Sequence, residues 1–152
     1  MITADVVHVD DPQARSRICE HVLRGLPEWF GIEAATSAYI HDVAELSTFA
    51  VGDVGFLSLK QHTPGAAEVY VMGVRREAHG RGIGSALLAA AESYLRARDV
   101  EYLQVKTLGP SRPDEHYARS RAFYLARGFV PLEEIHGLWD EGNPCLVLVK
   151  RL

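Results

Sequence analysis

The chain has 152 residues, 47% hydrophobic and 24% charged, with a formal net charge of −4; these are values of an ordinary folded domain, so disorder and a membrane-embedded chain are both excluded. One hydrophobic core suits this size, and a single domain over residues 1–152 is expected. No apolar run approaches the roughly 20 residues that span a bilayer, the start "MITADVVHVDDP" has no signal pattern, and no basic patch exceeds "VRR", so a cytoplasmic protein with neither membrane nor nucleic-acid partners is expected.

"TADVVHV" reads as a first strand, and "RSRICEHVLRGL", with Ile18, Val22, Leu23 and Leu26 at helical spacing before Gly25 and Pro27, as a first helix. "EAATSAYIHDVAE" is a weaker second helix. "STFAV" and "GFLSLKQH" are β-rich runs around Gly52-Asp53, which suits a hairpin, and Pro64-Gly65 marks the next turn. "AEVYVMGV" has no fully polar face, as a central strand requires. From Ile83, the residues Ala86, Leu87, Ala90, Tyr94 and Leu95 form an apolar stripe, with Glu92, Arg96 and Arg98 on the other side, and this is the clearest helix. "EYLQVKT" is a strand, "LGPSRPDEH" a loop, and "YARSRAFYLARGF" a helix stopped by Gly128. "VPLEEIHG" and "PCLVLVKRL" are closing strands around the turn "LWDEGNP". The order is β-α-α-β-β-β-α-β-α-β-β, a mixed α/β fold without repeats.

Cys19 and Cys145 are distant in sequence and read as buried thiols. The dispersed histidines have no zinc spacing, so no metal is expected.

The stretch "HGRGIG", His79–Gly84, joins the central strand to the clearest helix. A helix start offers unpaired N–H groups and partial positive charge, and glycines let an anion reach the amides. A Walker A loop would need Gly-Lys-Ser/Thr, which is absent. A dinucleotide fingerprint would need its third glycine where Ser85 stands. A turn glycine-rich for packing alone remains open.

The third phosphate cradle with this chemistry is the acyl-CoA loop. "VMGVRREAHGRGIGSALL" resembles the strand-loop-helix signature of the GNAT superfamily of N-acetyltransferases, with Gly82 and Gly84 at its two glycines and His79 in place of its Gln or Arg. "YARSRAFYLARGF" is similar to the later motif of the superfamily at Phe123, Tyr124, Gly128 and Phe129, with Tyr117 in place of an Asn and Ser120 in place of a small residue. The resemblance implies a single GNAT-type α/β domain with a twisted, mostly antiparallel mixed sheet of about seven strands and about four helices, splayed between its fourth and fifth strands, and often a homodimer. The β-rich "PCLVLVKRL" is a candidate for pairing across chains.

The same resemblance implies direct transfer of an acetyl group from acetyl-CoA to a primary amine through a tetrahedral intermediate. Acetyl-CoA, the only cofactor implied, would contact Met72, Gly73 and Val74 of the central strand, His79, Gly80, Arg81, Gly82, Ile83, Gly84 and Ser85 of the loop, and Tyr117, Ser120, Phe123 and Tyr124 of the later helix. The Met72 N–H would polarise the carbonyl, and Tyr124 would protonate the departing thiolate. An alkylammonium has a pKa near about 10.4, so its proton needs a destination. Glu68, fourteen positions before Gly82, has the separation of the general base of the histone-acetylating branch, and a plain strand would put Glu68, Tyr70 and Met72 on one face; a carboxylate merely paired with a cation is the alternative.

By the same analogy the acceptor lies among "LPEWFGIEAA", "LGPSRPDEHY" and "GLWDEGNP". Trp29, Phe30, Tyr70 and Trp139 are the candidate contacts, and Glu28, Glu33, Asp114, Glu115, Asp140 and Glu141 suit a small-molecule or protein amine carrying positive charge. An acyl-CoA-binding module without turnover and an unrelated nucleotide-binding protein are the other readings.

Overall fold

Asp11 and Pro12 show how the sequence starts an element. The Asp11 carboxylate accepts a hydrogen bond from Ala14 N at 3.1 Å, and proline takes the first helical position, where its missing N–H costs nothing. The computed structural model describes residues 5–152, and residues 3 and 4 of the expected first strand lie outside them. The elements follow as β1 Val7–Val9, α1 Pro12–Leu23, α2 Glu33–Asp42, β2 Ser47–Val51, β3 Gly55–Thr63, β4 Ala66–Val74, α3 Ile83–Arg96, β5 Tyr102–Leu108, α4 Glu115–Ala126, β6 Val130–Asp140 and β7 Asn143–Arg151. Both the order and the types are those expected.

The strands form one seven-stranded sheet, ordered β1-β2-β3-β4-β5-β7-β6. Every pairing is antiparallel except β4 with β5. Two cores cover it. Ile83, Leu87, Leu88 and Leu95 of α3 pack with Leu57, Val69 and Leu103 on one face, while Cys19, Val22 and Leu23 of α1 pack with Phe56 and Val71 on the other. Gly73 brings α1 close, since a Cβ there would meet Leu26 and Val22 at 3.1 Å.

Three expectations change. Glu92 is only 6% exposed, because Lys150 of β7 reaches it at 2.9 and 3.0 Å and Arg96 at 3.2 Å; a carboxylate so paired can lie on the buried side of a helix. β7 pairs with β5 on one side and β6 on the other, so it has no free edge for a second chain; the sheet edges are β1 and β6. The closing hairpin is also tighter than the sequence implies, since β6 runs to Asp140 and β7 begins at Asn143.

Cys19 and Cys145 are both buried and free. Burial, helped by the neighbouring Glu20 carboxylate, pushes the Cys19 thiol up to about 12, whereas a thiol in an unfolded chain ionises near about 8.5. Between these values the folded state holds more protons than the unfolded state, so stability falls as pH rises, by about 1.4 kcal/mol per pH unit for this group. Urea midpoints measured from about pH 8 to about pH 11 should therefore decline less steeply in Cys19→Ala than in the parent chain; parallel declines would mean that the folded thiol already ionises.

Candidate functional site

β4 and β5 pair only over Ala66–Val69 and Tyr102–Val105, although β4 continues to Val74 and β5 to Leu108. In the gap lies a cavity of about 990 Å³, walled by Val69–Val74 and Val105–Leu108 with residues of the α1–α2 loop, the start of α3, α4 and the β6–β7 turn. Opposite the gap, Ser58 pairs with Val71 and Leu59 with Val69, so Tyr70 is an extra residue on β4. This bulge shifts the alternation of side chains. Tyr70 and Val71 join the α1-side core and Met72 the α3-side core, so Met72 does not share a face with Glu68 and Tyr70.

At one end of the cavity, Gly80 and Gly82 have φ of +79° and +77° with open space where a Cβ would stand, a conformation that glycine alone adopts cheaply. Gly84 serves differently, as a Cβ there would meet the Phe123 ring at 3.1 Å. The turn brings in α3 with no side-chain cap and no acid in its first turn. Its first backbone bond runs from Ala86 N to Gly82 O, which leaves the N–H groups of Ile83, Gly84 and Ser85 without intrahelical partners. The Arg127 guanidinium donates to Ser85 Oγ, from Nε at 2.9 Å, and lies 4.1 Å from the centre of the Phe123 ring. This end can hold an anion by backbone donors, helix dipole and one cation together. Sequence reasoning missed Arg127, whose only signal was its place in the later motif.

The loop side chains do less than expected. His79 Nε2 donates to Val74 O at 2.6 Å and so staples the turn. Arg81 is exposed and lies outside the cavity wall.

Tyr124 is 7% exposed and lines the cavity, and burial holds its phenol well above the ordinary value. Its ring packs against Phe123 and Phe129. Earlier on α4, Trp29 Nε1 donates at 3.1 Å to His116 O and to Ser120 Oγ, while Tyr117 OH donates back to Trp29 O. Tyr117 and Ser120 thus clasp the α1–α2 loop across the gap.

The other end is walled by Phe30, Tyr39, Tyr70, Trp139, Lys106 and Arg112. Tyr70 OH donates to Asp42 at 2.5 Å. Glu68 is 5% exposed, does not line the cavity, and is bound through Oε1 by His62 Nε2 at 2.6 Å and Lys106 Nζ at 3.4 Å. Of the expected acids, Glu28, Asp114 and Asp140 line the wall, whereas Glu33, Glu115 and Glu141 do not. Apart from these last three acids, every sequence-predicted site residue except Glu68 and Arg81 lines this one cavity.

No group of His, Cys, Asp or Glu placed to hold a metal occurs among the described residues, and no helix among them is long and apolar enough to cross a membrane.

Solved structures with this fold include a GNAT-family acetyltransferase from Desulfovibrio desulfuricans, at TM-score 0.79 and 17% identity over 97% of this chain and 98% of that one. An aminoglycoside 6'-N-acetyltransferase complexed with coenzyme A follows the fold at TM-score 0.73 and 16% identity, over 99% of this chain and 97% of that one. Among curated proteins, the mycothiol acetyltransferase of Beutenbergia cavernae is 39% identical over 74 residues, which are 49% of this chain and 23% of that protein. That of Corynebacterium kroppenstedtii is 36% identical over 72 residues, 47% of this chain and 18% of that protein. The match thus spans less than a quarter of each of these relatives. The family model described as the acetyltransferase (GNAT) domain matches residues 39–131. That stretch is more than half of the chain and contains the splayed strands, the glycine turn and α4, and by it the protein belongs to the GNAT acetyltransferase family.

Proposed function

We propose that the protein is an acetyl-CoA-dependent N-acetyltransferase acting on a primary amine of a small molecule or protein. The observation that carries this reading is the acid-free, uncapped start of α3 opening on the cavity with Arg127 beside it. A pyrophosphate fits such an end, because its charge meets free amides and a guanidinium and displaces no carboxylate.

Acetyl-CoA, when bound, supplies a thioester. The amine nitrogen bonds to its carbonyl carbon, the carbon–sulfur bond breaks, the sulfur gains a proton and the nitrogen loses one. The amides of Gly80–Ser85 and the Arg127 side chain hold the phosphates. The edge of Met72, Gly73 and Val74 left unpaired in the gap holds the extended arm, and the Met72 N–H donates to the carbonyl oxygen. Tyr124 keeps its proton at neutral pH because burial disfavours the phenolate. The same burial disfavours a thiolate beside it, which favours passing the proton from the phenol to the departing sulfur. Glu68 stands behind the wall formed by Tyr70 and Lys106, so it takes the amine proton through water, and His62, with 32% of its side chain exposed, links that carboxylate to solvent. Lys106 at the wall favours the neutral amine over an ammonium ion.

Thermal unfolding tests the reading directly. Acetyl-CoA at a hundredfold its Kd adds about 2.7 kcal/mol of stability, with NAD and ATP giving much less; no selective shift overturns the assignment. Gly82→Ala costs about 1–2 kcal/mol for a side chain in the left-handed region and shrinks the acetyl-CoA shift. In assays of thiol release, Tyr124→Phe keeps the acetyl-CoA shift and loses about 10²–10⁴-fold in kcat. Glu68→Gln is slowest at neutral pH and recovers toward alkaline pH, where the amine is already neutral; parent-like turnover at every pH removes Glu68 from the proton path.

A further inference from the structure

The charges at the acceptor end are not those that the sequence suggests. Asp114 is consumed as the cap of α4, accepting from His116 N at 2.9 Å and Tyr117 N at 3.1 Å. Asp140 is consumed in the β6–β7 turn, accepting from Gly142 N at 3.0 Å and from Asn143 Nδ2 at 2.8 and 2.9 Å. Glu28 pairs with Arg76 through Oε1, which neutralises its charge, while its buried Oε2 has no hydrogen-bond partner.

The cations of the same wall are differently placed. Arg112 lines the cavity and donates only to the neutral Asn143 Oδ1, with no carboxylate partner among the described residues. Lys106 lines it too, at 3.4 Å from a Glu68 oxygen that His62 already holds at 2.6 Å. Arg112 comes from the β5–α4 loop and Lys106 from β5, whereas the phosphate end is formed by the start of α3. A guanidinium with free donors presents a planar fork suited to a carboxylate. The same cavity is also lined by the aromatic side chains of Phe30, Tyr39 and Trp139.

We propose that the acceptor is a primary amine that itself carries a carboxylate, an apolar amino acid being its simplest form, with the carboxylate on Arg112 and Lys106 and the side chain against Phe30, Tyr39 and Trp139. This rests on the N-acetyltransferase reading and narrows its substrate class. It replaces a cationic acceptor with an anionic one, because Asp114 and Asp140 are spent on a cap and a turn and Glu28 is charge-paired with Arg76, while Arg112 has no carboxylate partner among the described residues.

The test compares matched acceptors in thiol release from acetyl-CoA: L-phenylalanine against phenethylamine, and L-leucine against 3-methylbutylamine. A charge-assisted contact predicts a kcat/KM higher by about tenfold to hundredfold for the amino acid of each pair. In Arg112→Gln that advantage collapses, through a raised KM for the amino acids, and Lys106→Met narrows it as well, while acetyl-CoA still stabilises both variants. Decarboxylated amines turned over as well as the amino acids overturn the proposal, and so does an Arg112→Gln variant that slows both members of a pair alike. With acetyl-CoA binding intact, either result removes the carboxylate site alone; if acetyl-CoA neither binds nor is consumed with any acceptor, the transferase reading falls and the proposal with it.

Discussion

β4 and β5 hold each other for four residue pairs and then separate, and each feature of the site depends on that separation being tolerable. A buried strand edge with unmade hydrogen bonds costs about 1–3 kcal/mol per group. Here both strands keep a partner on the far side: β3 pairs with β4 up to Val74, and β7 pairs with β5 along Tyr102–Leu108. Only the shared edge is lost, and it faces a cavity open to water or ligand instead of a dry core. The bulge at Tyr70 bends β4 at the position where pairing stops, and the Tyr70 hydroxyl is tied to Asp42 at the end of α2. The opening is therefore held from the side of the sheet that α1 and α2 cover.

The electrostatics divide along the same gap. The chain as a whole has a net charge of −4, yet at the cavity wall Asp114 is committed to a cap, Asp140 to a turn and Glu28 to an ion pair, while Arg112 and Arg127 bond only to neutral acceptors. A ligand in the cavity meets the local field and not the sum, because formal charges that already accept backbone or guanidinium hydrogen bonds have little left to offer. Lys106, Arg112, Arg119 and Arg127 all line the cavity, so a molecule lying along the gap is met by positive charge as well as by aromatic rings and strand backbone.

What the sequence made legible follows the range of the interactions involved. Element order, the glycine turn and the aromatic wall are written in local periodicity and in residues that punctuate the chain, and these agree with the structure from β1 to β7. The face of Met72 was not legible, because an alternating strand hides a bulge that only its pairing with β3 reveals. Glu92 looked solvent-facing because Lys150, which neutralises it, lies 58 residues away. His79, Arg81 and Arg127 differ by where each side chain turns: a staple to Val74 O, an exposed position and a cation bonded to Ser85 at the start of α3. No spacing rule separates one arginine from the other.

The substitutions at Tyr117 and Ser120 complete this picture. Relative to the later motif they look like losses, since the Asn and the small residue are gone. Both side chains instead bond Trp29: the Tyr117 hydroxyl donates to its backbone oxygen and Ser120 Oγ accepts from its indole nitrogen, with His116 O sharing the same indole donor. Burial holds the Tyr117 phenol up to about 12, so it remains a donor at neutral pH. The clasp joins α4, which carries Tyr124, to the loop that carries Phe30. It thereby fixes Tyr124 and the Phe30 wall of the cavity to each other across strands that no longer pair. In a site built on a break in the sheet, side-chain bonds of this kind supply the registration that the lost strand pairing cannot.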